Sequence, residues 1–121
     1  MAEVDLIATG QIQAGQSLSN EIDIGSKVLV GLVLPGVWIA AAGGISFQVS
    51  VDGGTTWNEL TVGTTGVAFA LAFTGAGAAY LTIDPTQLRG VQAIKVRSGT
   101  VGAPVVQTSL VTLTLVTRLV S

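Results

Sequence analysis

The sequence predicts an all-β fold in which two sheets pack as one domain spanning residues 1–121. Most segments are short, rich in Val, Ile, Leu and Thr, and bounded by Gly, Pro, Asn or Asp, which is typical of successive antiparallel strands. No stretch repeats its apolar residues with the period of an amphipathic helix. The 16 glycines are spread along the chain, where they mark turns. We therefore expect a β-sandwich of jelly-roll or related Greek-key type.

The predicted strands follow from where the apolar runs begin and where turn residues stop them. The clearest case is the segment from Ile45 to Val51, which alternates apolar and polar residues as a half-buried strand does. A single helical turn is expected over Asp84 to Leu88, because Asp84 can cap it and Pro85 suits its first position. In chain order the predicted strands are Val4 to Thr9, Ser17 to Ile24, Lys27 to Leu34, Ile45 to Val51, Trp57 to Val62, Val67 to Phe73, Ala79 to Ile83, Ala93 to Ser98 and Val106 to Leu119.

The chain carries unusually little charge. Only 10% of its residues are charged and 49% are hydrophobic, whereas an ordinary soluble domain is about one quarter charged. Such a chain either enters a membrane or covers much of its surface with other protein. The net charge of −2 provides no field that would gather phosphates, so we expect no nucleic-acid partner.

Two uncharged stretches, Val28 to Val51 and Thr61 to Ile83, are long enough for the ~20 residues of a membrane-spanning helix. Glycine and proline interrupt the first, and Thr-Gly and Gly-Ala clusters interrupt the second, so both are interpreted as strands and turns. Glu3 and Asp5 stand where a signal peptide would carry Lys or Arg. We therefore expect no membrane association and no export signal, and burial against other protein explains the composition better.

The sharpest local motif is Ser50-Val51-Asp52-Gly53-Gly54-Thr55-Thr56-Trp57, which matches the S-x-D-x-G-x-T-W pattern of the Asp-box of sialidases and other β proteins. We interpret Ser50, Asp52, Gly54, Thr56 and Trp57 as a structural turn. The carboxylate can accept backbone N–H bonds, glycine can take positive φ, and the indole can fold over the turn. The alternative is a sialidase or glycan-binding fragment, but those proteins resemble propellers with repeated boxes.

The residue types also limit the chemistry. The chain contains no cysteine and no histidine, which removes thiolate nucleophiles, the usual general base and the commonest metal ligands. A glycosidase needs two carboxylates that face each other across a cleft. Asp52 and Glu59 are the candidate pair, but they lie on opposite sides of one predicted hairpin and no activated nucleophile accompanies them. We expect no enzymatic activity, no catalytic residues, no metal site and no cofactor.

Two charge pairs and one tryptophan are candidate interface residues. Glu21 and Asp23, like Lys95 and Arg97, stand two positions apart, so each pair should project from one face of a strand. The simplest interpretation is a solvated strand face. The alternative is that the acidic pair of one subunit meets the basic pair of a neighbour. Trp38 could be a core residue or an interface anchor.

Landmarks along the chain resemble a family of small tailed-bacteriophage virion structural proteins, similar to head decoration (cement) proteins. The resemblance covers nearly the whole chain. Its landmarks are Gly15-Gln16-Ser17-Leu18-Ser19, Val30 to Pro35 with Trp38, Ile45-Ser46-Phe47-Gln48 leading into Ser50-Val51-Asp52-Gly53, Ile83-Asp84-Pro85, Gly90, Ile94 to Thr100, Ala103-Pro104-Val105, Gln107, and Leu113 to Val116 with Arg118.

The resemblance implies a β-sandwich protein of the virion, located on the capsid surface after assembly in the host cytoplasm. Its expected partners are further copies of itself, with a trimer favoured, and the phage major capsid protein. Low charge and the lack of catalytic residues agree with this function. The alternative function is a carbohydrate-binding module of a phage tail or adhesin, which the aromatic content of only 5% disfavours.

Overall fold

The computed structural model describes residues 6–25, 27–41, 43–62, 67–83 and 91–119. In these ranges the chain contains strands, turns and bends but no helix. The 12 strands are β1 (Leu6–Ile12), β2 (Ile22–Asp23), β3 (Lys27–Leu34), β4 (Ile45–Ser50), β5 (Asn58–Glu59), β6 (Thr61–Val62), β7 (Val67–Ala68), β8 (Ala70–Leu71), β9 (Ala79–Thr82), β10 (Ala93–Thr100), β11 (Ala103–Pro104) and β12 (Val111–Leu119).

The first sheet has four antiparallel strands in the order β1-β12-β3-β9. Its rows of paired residues run across all four strands, as in Thr9, Thr114, Val33 and Tyr80. The pairing of β12 with β3 shifts register between Val116 and Thr117. The last strand of the chain thus lies inside the sheet, and β1 and β9 form its two edges.

The second sheet has six strands, with β11, β10, β4 and β5 in order and with β2 and β8 pairing β10 and β4. A β-bulge interrupts the pairing of β10 with β4 between Ser98 and Gly99. Gly99 has a φ of 89°, and a Cβ at this position would lie 2.8 Å from the amide nitrogen of Val105. Only glycine fits this bulge without strain. Strands β6 and β7 form a separate two-stranded sheet.

One hydrophobic cluster joins the two large sheets. The first sheet contributes inward-facing leucines from β3 and β12, and the second contributes apolar side chains from β4 and β10. Because one cluster contains side chains from both sheets, the sheets pack face to face as a β-sandwich. The fully buried members from these four strands include Leu29, Leu32, Leu113, Leu115, Ile45, Phe47, Ile94 and Val96.

The all-β prediction is confirmed, and several strand boundaries are corrected. Lys27 to Leu34 is one strand as predicted, but the predicted strand Ser17 to Ile24 is reduced to Ile22–Asp23. The predicted last strand begins at Val111 instead of Val106. The helical turn predicted over Asp84 to Leu88 lies outside the described residues. No helix in the described part of the chain is long and apolar enough to cross a membrane.

The segments predicted as Trp57 to Val62 and Val67 to Phe73 are each split into two short strands. Leu60 separates β5 from β6, and Phe69 separates β7 from β8. Leu60 bonds both to Phe69 and to β4: the Phe69 N–H donates to the Leu60 carbonyl at 2.8 Å, and the Leu60 N–H donates to the Phe47 carbonyl at 3.0 Å. The two segments therefore contribute to two sheets: β5 and β8 pair with β4 in the six-stranded sheet, whereas β6 and β7 pair with each other. Ala103–Pro104 is an additional strand that proline and glycine conceal in the sequence.

Candidate functional site

The motif and the charged residues singled out by the sequence meet on the outer face of the six-stranded sheet. Phe47 and Val96 are paired neighbours that point into the core, so the alternate residues of β4 and β10 point outward. Cross-strand pairing places Lys95 beside Gln48 and Arg97 beside Ser46. Gln48 is in turn paired with Glu59 of β5. We refer to this surface, together with the adjoining turn of residues 50–57, as the polar face.

The turn is built by hydrogen bonds within the Asp-box motif. The Ser50 hydroxyl donates to Asp52 Oδ1 at 2.8 Å and accepts the Gly54 N–H at 2.9 Å. Asp52 Oδ1 also accepts the Thr56 N–H at 2.9 Å. The Trp57 indole N–H donates to the Gly54 carbonyl at 3.0 Å, and Gly54 has a φ of 97°. Each polar atom named here is therefore used inside the turn.

Hydrogen bonding also sets the ionisation of Asp52. The Thr56 backbone N–H is the main cause, and the Ser50 and Thr56 side chains add to it, so the pKa of Asp52 is lowered from its ordinary 3.8 to about 2. These donors bond the charged form of the carboxylate and stabilise it. Asp52 is therefore a poor proton donor near neutral pH, and its geometry is that of a turn-forming acceptor.

We expect Asp52→Ala to lower the melting temperature, with Asp52→Asn as an intermediate control because its amide oxygen can still accept the Thr56 N–H. The folded-state pKa is depressed, so the stabilisation by Asp52 is fully present above about pH 4 and is lost as the pH falls towards about 2. Urea unfolding between about pH 2 and pH 5 should show this loss in the natural chain and a smaller one in Asp52→Asn. An Asp52→Ala chain that keeps its stability but loses a bound glycan or ion would contradict this role.

Arg97 forms a two-point ion pair with Glu59 on the polar face. Arg97 Nη1 lies 2.6 Å from Glu59 Oε1, and Nη2 lies 2.7 Å from Oε2. Gln48 donates to the same carboxylate at 3.0 Å, and Arg97 also donates to the Ser46 hydroxyl at 3.3 Å. The Arg97 guanidinium is the main cause of the lowered pKa of Glu59. This planar arrangement matches a guanidinium to a carboxylate, which a lysine at position 97 could not reproduce.

The other charged candidates have different surroundings. Lys95 Nζ lies 4.6 Å from the centre of the Trp57 ring, a cation–π contact that connects the sheet to the turn. The Glu21 carboxylate lies so close to Gly54 that a Cβ there would be 2.7 Å from Glu21 Oε1. Asp23 accepts the Gly25 N–H at 2.8 Å. Glu21 and Asp23 are both exposed, so they are available at the surface.

The structure corrects the predicted surface position of two candidate interface residues, Trp38 and Arg97. Trp38 is only 2% exposed and belongs to the hydrophobic core, so it is not a surface anchor. Arg97 is 6% exposed, and its charge is already paired with Glu59. Both residues are buried by the folded chain itself. Of the five candidates, Glu21, Asp23 and Lys95 can still contact another molecule.

Sequence reasoning assigned no structural role to Gln107, which is fully buried. Its side chain accepts the Ile39 N–H at 2.9 Å, donates to the Ile39 carbonyl at 3.1 Å and donates to the Ser98 hydroxyl at 2.8 Å. A buried amide with both ends bonded fixes the loop that carries Trp38 against β10. No local sequence pattern marks such a residue, because its partners are distant along the chain.

On the polar face, Arg97 and Glu59 bond to each other and Asp52 bonds within its turn, while the Lys95 ammonium lies over the Trp57 ring. Within the described ranges, no three carboxylates, histidines or cysteines lie together as a possible metal site. No known family model, curated protein or solved structure matches this chain. The arrangement fixes a turn on a sheet and leaves Glu21, Asp23 and Lys95 at the surface.

Proposed function

We propose that this protein is a structural component of a tailed-bacteriophage particle, a decoration protein that binds the head and stabilises it. The observation that carries this proposal is the resemblance of its sequence landmarks, from Gly15 to Arg118, to small virion proteins of that kind. The low charge supports the proposal, because a surface covered by neighbouring protein needs few solvated groups. We propose further copies of the chain and the major capsid protein as its partners, and the capsid surface as its location.

The polar face supports the same function. Arg97 and Glu59 are bonded to each other, and Asp52 is bonded within its turn, so these groups stabilise the fold instead of facing a substrate. Lys95 and the exposed Glu21 and Asp23 are left to guide contacts with a partner. Charges at the rim of an interface mainly set the rate and register of association. We also propose that the strands of the sandwich are connected as in a jelly roll.

The test is to delete the gene, purify particles and add the purified protein back. Binding of this protein stabilises the assembled state by mass action, so saturated heads should release DNA at a higher temperature than heads without it.

Lys95→Glu should slow attachment, whereas Lys27→Glu, a matched change on the four-stranded sheet, should not. Density for the protein on the head, seen by electron microscopy, would agree. Heads that never bind the protein, or density at the tail tip alone, would refute decoration and support the adhesin alternative.

A further inference from the structure

The four-stranded sheet ends at two edge strands, β1 and β9. Along a strand, the N–H and C=O of successive residues point to opposite sides. On β1, Gln11 donates its N–H to Asn20 Oδ1 at 2.7 Å and accepts the Asn20 N–H at 3.1 Å. The backbone of Gln11 therefore points away from β12. By alternation, Ile7 and Thr9 also point their N–H and C=O groups outward, and neither bonds to another described residue there.

The opposite edge has the same property. The Ile83 N–H donates to the Val30 carbonyl at 3.1 Å, so the backbone of Ile83 points towards β3. The same alternation turns the backbone of Leu81 towards β3 and turns Tyr80 and Thr82 outward. Strand β9 pairs only with β3 among the described residues. Each edge of this sheet thus points the N–H and C=O of two alternate residues outward, Ile7 and Thr9 on β1 and Tyr80 and Thr82 on β9.

The two edges are complementary in direction and in chemistry. Neighbouring strands of the sheet are all antiparallel, so β1 and β9 run in opposite directions and would pair antiparallel if the sheet were repeated. No charged residue lies in Leu6–Ile12 or in Ala79–Thr82, so the two strands carry no like charges that would repel each other. Ile7 is 68% exposed and Tyr80 is 56% exposed, which leaves apolar surface at each edge for a partner to cover.

We propose that the edge of β1 in one copy pairs antiparallel with the edge of β9 in a second copy, so that one sheet continues across both. Placing Ile7 opposite Thr82 and Thr9 opposite Tyr80 uses the open groups of both edges, in about four hydrogen bonds. It also places β-branched side chains beside each other and beside an aromatic ring, which are favourable cross-strand pairs. Asn20, which covers the Gln11 edge, ends the pairing.

This contact is head-to-tail, so it leaves one open edge on each side of any pair of copies. A closed ring satisfies every edge, whereas pairing β1 with β1 would leave each β9 unpaired. The inference does not depend on the proposed virion function, because it concerns the chain alone in solution. A ring is nevertheless a suitable unit for placing copies on a symmetric shell.

Proline substitution can test the contact without cutting the sheet. In Thr9→Pro and Thr82→Pro the N–H that is lost points outward, so no bond to another described residue of the same copy is removed. Thr9→Ala and Thr82→Ala are matched controls that keep the N–H. Light scattering at micromolar concentration should show an oligomer for the natural chain and for both alanine variants, and monomers for each proline variant alone. An equimolar mixture of the two proline variants should form a heterodimer, because one copy keeps β1 and the other keeps β9.

Other results would overturn the proposal. A natural chain that is monomeric at high micromolar concentration has no such contact. An oligomer that survives Thr82→Pro but not Thr9→Pro would mean that β1 pairs with β1. Amide exchange of the natural chain provides a check without any variant. The N–H groups of Ile7, Thr9, Tyr80 and Thr82 should become protected as concentration rises, while those of Ala8 and Leu81 should not change, and unchanged exchange at all six would refute the pairing.

Discussion

Trp38→Ala is expected to lower the free energy of unfolding by about 3 to 5 kcal/mol, as for other large aromatic side chains removed from a core. Trp38 is almost fully buried and contacts the main cluster. Its backbone also closes a turn, with the Trp38 N–H donating to the Pro35 carbonyl at 3.1 Å and the Trp38 carbonyl accepting the Gly77 N–H at 3.0 Å. Alanine would leave a cavity between these segments. Urea unfolding followed by circular dichroism measures the loss.

Trp38→Phe is the matched control. The Trp38 indole N–H is buried and has no hydrogen-bond partner among the described residues, so the natural chain bears the cost of desolvating that donor. Phenylalanine removes the donor and keeps an aromatic ring, and we expect its effect to stay below about 1.5 kcal/mol. If Trp38 were an interface anchor, Trp38→Ala would instead change only the concentration dependence of stability. Repeating the unfolding at several protein concentrations separates the two.

Strands with strong local patterns were predictable from the sequence. Ile45–Ser50 shows the apolar alternation of a half-buried strand, and Lys27–Leu34 is an apolar run of valine and leucine closed by proline. The predicted strand from Ser17 failed for a physical reason. Ser19 uses its backbone N–H and its hydroxyl to bond Val96, and the Asn20 side chain caps Gln11. Side-chain bonds of this kind compete with regular pairing, and composition does not reveal them.

The sequence allowed the residues of the candidate site to be predicted, but not the contacts between them. Alternation along β10 correctly indicated that Lys95 and Arg97 share a face. It could not show that β5 would bring Glu59 to Arg97, because that contact spans 38 residues and depends on the register of β4 between them. The same alternation gave no sign that Arg97 would be buried. The register between distant strands therefore decides that Arg97 forms an internal ion pair, and the local sequence pattern does not reveal this.

Arg97→Met is expected to lower the free energy of unfolding by about 2 to 3 kcal/mol, because it leaves the Glu59 carboxylate without its main partner. The loss should be smaller than for a fully buried pair, since a quarter of the Glu59 side chain is exposed. The pKa of Glu59 should return towards its ordinary 4.5, since Arg97 is the main cause of its depression. Nuclear magnetic resonance titration of the Glu59 carboxyl group measures this directly.

The double variant Arg97→Met with Glu59→Gln separates the cost of an unpaired Glu59 carboxylate from the cost of losing the ion pair itself. Replacing both charges removes the unpaired carboxylate, so the double variant should recover most of the stability that the single variant loses. Lys95→Met is the matched control on the same strand, and removing a half-buried cation over one ring should cost about 1 kcal/mol or less. The ion pair depresses the Glu59 pKa, so its contribution is present above about pH 4.5 and declines as the pH falls. If Arg97→Met leaves stability unchanged at neutral pH while abolishing attachment to particles, Arg97 acts at an interface and the internal role assigned to it is wrong.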